Sequence, residues 1–252
     1  MNHRFLKFTP FIAAISLLAA HASASSRRFC YSFETTTMPA GAMELETTVT
    51  RATGQADDSA SEHYDIRHEF EYGLTDRLQV ALYFARWHAE KSSAKGWETE
   101  FKGVAAEAIY NLTDPNTTAF GSAVYGEVKG GENFFELEAK LLFQKNRGAW
   151  SVVYNVGGGV EWEDDDKNPQ AELMQSAGGL YQISASWSVG AEIRHEVAMP
   201  NADSLGEHGL YLGPNLAWRH QRLGLTVAGL WQTTDLAAEP DFQLRTILSL
   251  DF

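Results

Sequence analysis

The residues of this chain that could do chemistry recur two apart. Glu44 and Glu46 form one such pair, and Asp65, Arg67, Glu69 and Glu71 form a run of four. Glu98, Glu100 and Lys102 repeat the spacing, as do Glu136, Glu138 and Lys140, and then Glu192, Arg194 and Glu196. Arg219 and Arg245 follow singly, and Glu107, Glu127, Lys129, Glu161 and Glu172 fall on the same kind of face. Side chains two apart share one face of an extended strand. Such a face can hydrate and conduct small ions or solutes, or its charges can cross-pair. An acid-rich lining would raise the local concentration of cations over anions. A narrow interior filled by paired charges would conduct nothing. The spacing allows both.

Catalysis is the main rival. His63, His88 and His208 fall near chain reversals, with Ser61, Ser92, Ser93 and Ser204 close in sequence. A serine activated by a histidine needs little more. No motif resembling the His-x-Ser-Asn of outer-membrane phospholipase A is present, so no catalytic residue is assigned. The segment Asp164-Asp165-Asp166-Lys167-Asn168 superficially resembles a calcium loop. It has Pro169 where an EF-hand needs Gly and Gln175 where it needs the bidentate Glu. It reads as a solvated acidic loop. The histidines show no i, i+2 or i, i+4 pairing, and no metal or cofactor site is expected.

The elements that must carry these faces are strands. From Gly41 onward the sequence alternates apolar and polar residues in about twelve segments, with no convincing helix. The last is typical: Leu244, Thr246, Leu248, Leu250 and Phe252 against Gln243, Arg245, Ser249 and Asp251. Near Gly103 the alternation changes phase, which predicts a bulge. Pro214 inside the tenth segment is a blemish, because proline cannot donate to a ladder. Connections alternate in length. Gly73 to Asp76, Thr113 to Thr118, Asn146 to Ala149, Ser184 to Ser186 and His220 to Arg222 are short. Ala52 to Glu62, Ala89 to Gly96, Asp164 to Gln170, Ala198 to His208 and Gln232 to Pro240 are mostly longer and polar, with the link around Gly130 to Asn133 the exception. Short turns at one end and longer loops at the other are the pattern of an outer-membrane barrel. All seven tryptophans fall at strand ends, as two interfacial girdles require. The fold class expected is all-β: a transmembrane, up-and-down antiparallel β-barrel of about twelve strands. Leu244, Leu248, Leu250 and Phe252 should face lipid and pair with a first strand near Met43 to Val49. Arg245 should point inward opposite Glu44 or Glu46. Phe252 is the expected assembly signal.

The chain has 252 residues and a net charge of −13, which argues against nucleic acid as a partner. Residues 1–24 read as a signal peptide: Arg4 and Lys7, an apolar run from Phe8 to Ala20, and Ala22-Ser23-Ala24 before cleavage. Residues 25–40 read as a polar periplasmic lead and 41–252 as the barrel. Cys30 is the single cysteine, so it forms no intrachain disulfide, and it reads as inert. Expected partners are outer-membrane lipid and lipopolysaccharide, the barrel assembly machinery and small solutes. The location expected is the bacterial outer membrane of a Gram-negative cell.

The stretch Arg67-His68-Glu69-Phe70-Glu71-Tyr72-Gly73-Leu74-Thr75-Asp76-Arg77-Leu78-Gln79-Val80-Ala81-Leu82-Tyr83 resembles a group of uncharacterised bacterial outer-membrane barrel proteins. More distantly it is similar to outer-membrane transporters of the phenol-degradation-pathway type. Gly41 to Leu45 and Gly213-Pro214-Asn215-Leu216 resemble parts of the same pattern. The resemblance implies an outer-membrane location and passive transport. Its motif marks a strand–turn–strand hairpin and carries no catalytic residue. The function expected is a narrow, porin-like channel with an acid-rich lumen. The alternatives are a rim Ser/His hydrolase and a structural barrel without transport.

Overall fold

A computed structural model describes residues 27–55, 58–92, 95–164, 168–237 and 239–252. The signal peptide, Ser93 and the acidic run 165–167 lie outside the described residues. Twelve strands follow in order. They are β1 (Met43–Gln55), β2 (Asp58–Thr75), β3 (Leu78–Ser92), β4 (Gly96–Thr113), β5 (Gly121–Gly130) and β6 (Phe134–Arg147). Then come β7 (Trp150–Glu163), β8 (Gln170–Gln182), β9 (Trp187–Met199), β10 (His208–His220), β11 (Leu223–Gln232) and β12 (Phe242–Asp251). Each pairs antiparallel with its sequence neighbour, and β1 pairs with β12 to close the barrel. The closing register runs from Glu44 opposite Asp251 to Thr53 opposite Phe242. The Phe252 N–H donates to the Met43 carbonyl at 3.0 Å and extends the seam by one residue. Closure removes the sheet edge and satisfies every ladder group there, which a wall in lipid requires.

The alternation works as the sequence implies. Leu82, Phe84, Val128, Leu141, Val152, Ile193, Leu212 and Leu248 stand exposed on the outer wall, while their neighbours along each strand turn inward. So large an apolar surface would be unstable facing water and fits the hydrocarbon of a bilayer. Trp150, Trp187 and Trp218 ring the end with the short turns, and the Trp187 and Trp218 rings lie tilted to each other at 6.2 Å. Trp162 lies twelve residues from Trp150 on β7, about 30 Å along the axis at ordinary strand rise and tilt.

Two departures from the expected pattern matter for the interior. First, β1 to β4 are longer than expected, at 13 to 18 residues. A spanning strand needs about 9–11. The segments expected as loops from Ala52 to Glu62 and from Ala89 to Gly96 are largely strand, so this part of the wall projects beyond the rest at the loop end. The β4–β5 ladder stops at Val104 opposite Gly130, so residues 96–103 of β4 overhang β5. Second, the bulge predicted at Gly103 exists, with φ +87° and a register shift between β3 and β4. It is accompanied by a second one in β3. His68 pairs with Ala85 while Glu69 pairs with Tyr83, leaving Phe84 as the extra residue. Strict alternation would put Arg86 on the lipid-facing side with Leu82 and Phe84. The bulge turns it inward, in register with Arg67. Pro214 is accommodated in β10 because the β10–β11 pairing skips Gly213 and Pro214.

Candidate functional site

The interior is occupied by the chain's own N-terminal segment. Residues 27–40 were expected as a polar lead outside the barrel. Instead they fold into the lumen at the short-turn end, where Arg27 and Arg28 return to Thr226 and Ser151: Phe29, Cys30, Ser32, Thr35 and Met38 are fully buried. At the entry, the Ala40 N–H donates to Asp76 and the Gly41 N–H to the Gly73 carbonyl. The segment has no regular structure, so its backbone has no ladder of its own, and buried amides must find other partners. Lumen side chains supply them. The Met38 N–H donates to Gln79 at 3.0 Å and the Thr35 N–H to Gln144 at 2.8 Å. Asn155 accepts from the Phe33 N–H at 2.6 Å and donates to the Phe33 carbonyl at 3.0 Å. Glu192 accepts three consecutive amides, from Cys30, Tyr31 and Ser32, at 2.6, 2.8 and 3.0 Å. Asn215 donates to the same carboxylate.

Aromatic residues at alternate positions anchor the plug in three apolar niches. Phe29 packs with Val153 and Leu180. Tyr31 and Cys30 pack with Tyr211, Ala228, Leu230 and Ile247. Phe33 lies on the cluster of Ile109, Ala123, Tyr125 and Leu142, 4.7 Å from the Tyr125 ring. Burying a side chain of this size is worth roughly 1.5–3 kcal/mol. The room for Phe29 comes from Gly178, where a Cβ would stand 2.5 Å from the Phe29 ring. Burial pushes the Cys30 thiol well above its usual range, and the Glu192 carboxylate beside it adds to this, so the thiol is shielded and un-ionised.

The plug sorts the expected lumen residues into levels. Near the short-turn end, Glu44, Glu46, Glu69 and Glu71 are buried, and oxygens of Glu44, Glu46 and Glu71 lie within 4.8 Å of one another. Arg27 of the plug reaches Glu46 at 3.7 Å, and Arg219 pairs with Asp251. Arg245 does not face Glu44 or Glu46. Those stand opposite Asp251 and Ser249, while Arg245 stands opposite Thr50. It donates to the Thr50 hydroxyl at 2.8 Å and to the Cys30 carbonyl at 3.2 Å, and its guanidinium lies 4.1 Å from the Tyr31 ring centre. The reason is register: one closed seam fixes every partner at once.

Above the plug lies a chamber of about 210 Å³. Its bases are Arg27, Arg67, Lys129, Lys140, Arg194 and Arg245, and its acids are Glu69, Glu127, Glu138, Glu172 and Glu196. Lys129 bridges Glu136 at 2.7 Å and Glu138 at 2.9 Å, Lys140 pairs with Glu138, and Arg194 pairs with Glu196. Tyr83 and Tyr125 both donate to Glu107, at 2.7 and 3.1 Å. Glu98, Glu100 and Lys102 belong to neither level. Glu98 and Glu100 lie exposed and Lys102 half-buried on the overhanging part of β4, with Lys102 and Glu100 paired at 2.8 Å, and none of the three lines the chamber. Asp65 sits nearer the rim, bonded to His88 at 2.9 Å.

His88 therefore has a carboxylate partner, and its ring lies 5.6 Å from that of His63. His208 packs edge-on against His195 at 5.5 Å. Among the described residues, no serine hydroxyl bonds His63, His88 or His208. Sequence reasoning missed Gln79, Gln144, Asn155, Gly178 and Arg86. The first three would have been legible had Phe29, Tyr31, Phe33 and Met38 been weighed as residues that need burial.

The chain belongs to a family of unknown function (DUF6662), whose model matches residues 21–236. Membership meets the expectation of an uncharacterised barrel family. No curated protein matches. Among solved structures, the chain is similar to the COG4313 outer membrane channel from Pseudomonas putida F1. That match has a TM-score of 0.65 and 13% identity, covering 87% of this chain and 98% of that one. It is also similar to the NanC porin, with a TM-score of 0.57 and 8% identity over 82% of this chain and 98% of that one. A third similar structure is the translocator domain of the autotransporter NalP from Neisseria meningitidis, with a TM-score of 0.54, 7% identity and coverage of 84% and 88%. At these identities the likeness defines the fold: a closed, antiparallel barrel of the outer-membrane type.

Proposed function

We propose that this protein is an outer-membrane channel for small solutes whose periplasmic half is closed by its own residues 27–40. It is made as a precursor with a signal peptide at residues 1–24, and its short turns face the periplasm. Lipid and lipopolysaccharide surround the wall, and the barrel assembly machinery reads the C-terminal strand ending at Phe252. One observation carries the plug reading: a single carboxylate, Glu192, binds three consecutive amides of an otherwise irregular segment. A barrel that served only as a scaffold would need no lumen wall tailored to that segment.

The acid-rich lumen divides into two zones. At plug level Glu44, Glu69 and Glu71 have no ion-pair partner among the described residues, while the outer chamber carries slightly more bases than acids. Cation preference is therefore no part of this proposal.

Planar-bilayer recordings test it. The full mature chain should show small or rare openings, and a variant lacking residues 25–38 should show a larger, sustained conductance. Equal conductance from the two would overturn the proposal.

A further inference from the structure

Arg67 and Arg245 of the chamber lining, and Arg86 on the strand beside Arg67, lack a carboxylate partner among the described residues. Arg245 on β12 is held only by the Thr50 hydroxyl, the Cys30 carbonyl and the Tyr31 face. Arg67 on β2 has no hydrogen bond or ion pair among the described residues. Arg86 on β3 stands in register with Arg67 and has a buried Nη1 with no partner. Only β1 separates β12 from β2, so the strands of Arg245 and Arg67 lie about 10 Å apart, two strand spacings, and that of Arg86 is one further on, about 14 Å from β12. Arg27 of the plug and Arg194 extend the positive field that reaches Arg245.

Unpaired guanidinium groups crowded together away from bulk water are costly. The bases elsewhere in the chamber are matched: Lys129, Lys140 and Arg194 hold Glu136, Glu138 and Glu196. What remains unmatched on this wall is positive charge in fork geometry, which suits the paired oxygens of a carboxylate or a phosphate. Glu69 and Glu172 also border the chamber and oppose a highly charged guest.

We propose that the outer chamber is a binding site for a small oxyanion, a carboxylate or a phosphate, clamped by Arg67 and Arg86 with Arg245 beside them. Because Arg245 also holds the Cys30 carbonyl and Tyr31, an anion drawing it away would loosen the plug. The site deepens the channel reading, since it names what the outer chamber takes, but its binding step is measurable without conduction.

The test is titration calorimetry on the full mature protein in detergent, with inorganic phosphate and with succinate as separate probes. Saturable binding of either probe at millimolar concentration or tighter is expected, weakened at least tenfold in Arg67→Gln and in Arg86→Gln. Lys102→Gln, a base on the overhang, should bind as the wild type does. Phosphate alone, succinate alone or both would tell which oxyanion is taken. Heat-modifiable migration on a denaturing gel verifies that each variant is a folded barrel, and two single variants guard against one failing to fold. No saturable binding by the folded wild type would overturn the site, as would unchanged affinity in a folded Arg67→Gln or Arg86→Gln protein. Equal loss in Lys102→Gln would do the same. A barrel that binds but never conducts, even without residues 25–38, would overturn the channel and leave the site standing. One that conducts without binding would do the reverse.

Discussion

Replacing Glu192 by Gln should unseat the plug while leaving the barrel intact. In the wild type the carboxylate accepts from the amides of Cys30, Tyr31 and Ser32 at 2.6 to 3.0 Å, and from Asn215. A hydrogen bond to a charged group is worth roughly 1.5–3 kcal/mol net. The amides of Tyr31 and Ser32 share one carboxylate oxygen, and Cys30 and Asn215 share the other, so a glutamine oxygen can serve one pair while its NH2 meets the other pair donor to donor. Losing two of the four bonds costs roughly 3 kcal/mol or more, which at 1.4 kcal/mol per tenfold multiplies the unseated fraction at least a hundredfold. Cys30 reports that fraction directly. It is the single cysteine in the chain, fully buried by the seated plug, with its thiol held un-ionised. When reseating is fast compared with reaction, the labelling rate follows the open population. A maleimide should therefore label Cys30 at least a hundredfold faster in Glu192→Gln than in the wild type, at equal heat-modifiable migration. Rates within threefold of each other would refute the reasoning. So would a folded wild type that labels as fast as the denatured chain.

Gly178→Val should act from the other side of the same contact. Its Cβ would stand 2.5 Å from the Phe29 ring, and overpacking costs roughly 1–3 kcal/mol, so Cys30 labelling should rise about tenfold with the barrel still heat-modifiable. Deleting Phe252 removes a backbone bond to Met43 and an exposed apolar ring at the seam; the fraction of chain reaching a heat-modifiable form in cells should fall severalfold, while the conductance of the molecules that do assemble stays unchanged.

The sequence by itself determined the wall. A period of two puts every side chain on one face or the other, so Leu248 and Leu250 out and Ser249 in could be read without coordinates. The phase change at Gly103 and the tryptophans at strand ends, Trp87 excepted, followed from the same local rules, whereas the long loops expected at Ala52 to Glu62 and Ala89 to Gly96 are largely strand. Three things were decided only in the closed barrel. Arg86 faces in because a bulge at Phe84 flips the alternation, and nothing local marks that residue as the extra one. Arg245 faces Thr50 because register around a closed sheet is a global quantity, fixed by all twelve strands together. Residues 27–40 lie inside because their amides, which no ladder satisfies, meet Glu192, Asn155, Gln144 and Gln79 from four different strands. Local pattern writes a surface; what fills the space behind it depends on contacts between residues 41 to 162 positions apart, and those exist only once the sheet has closed.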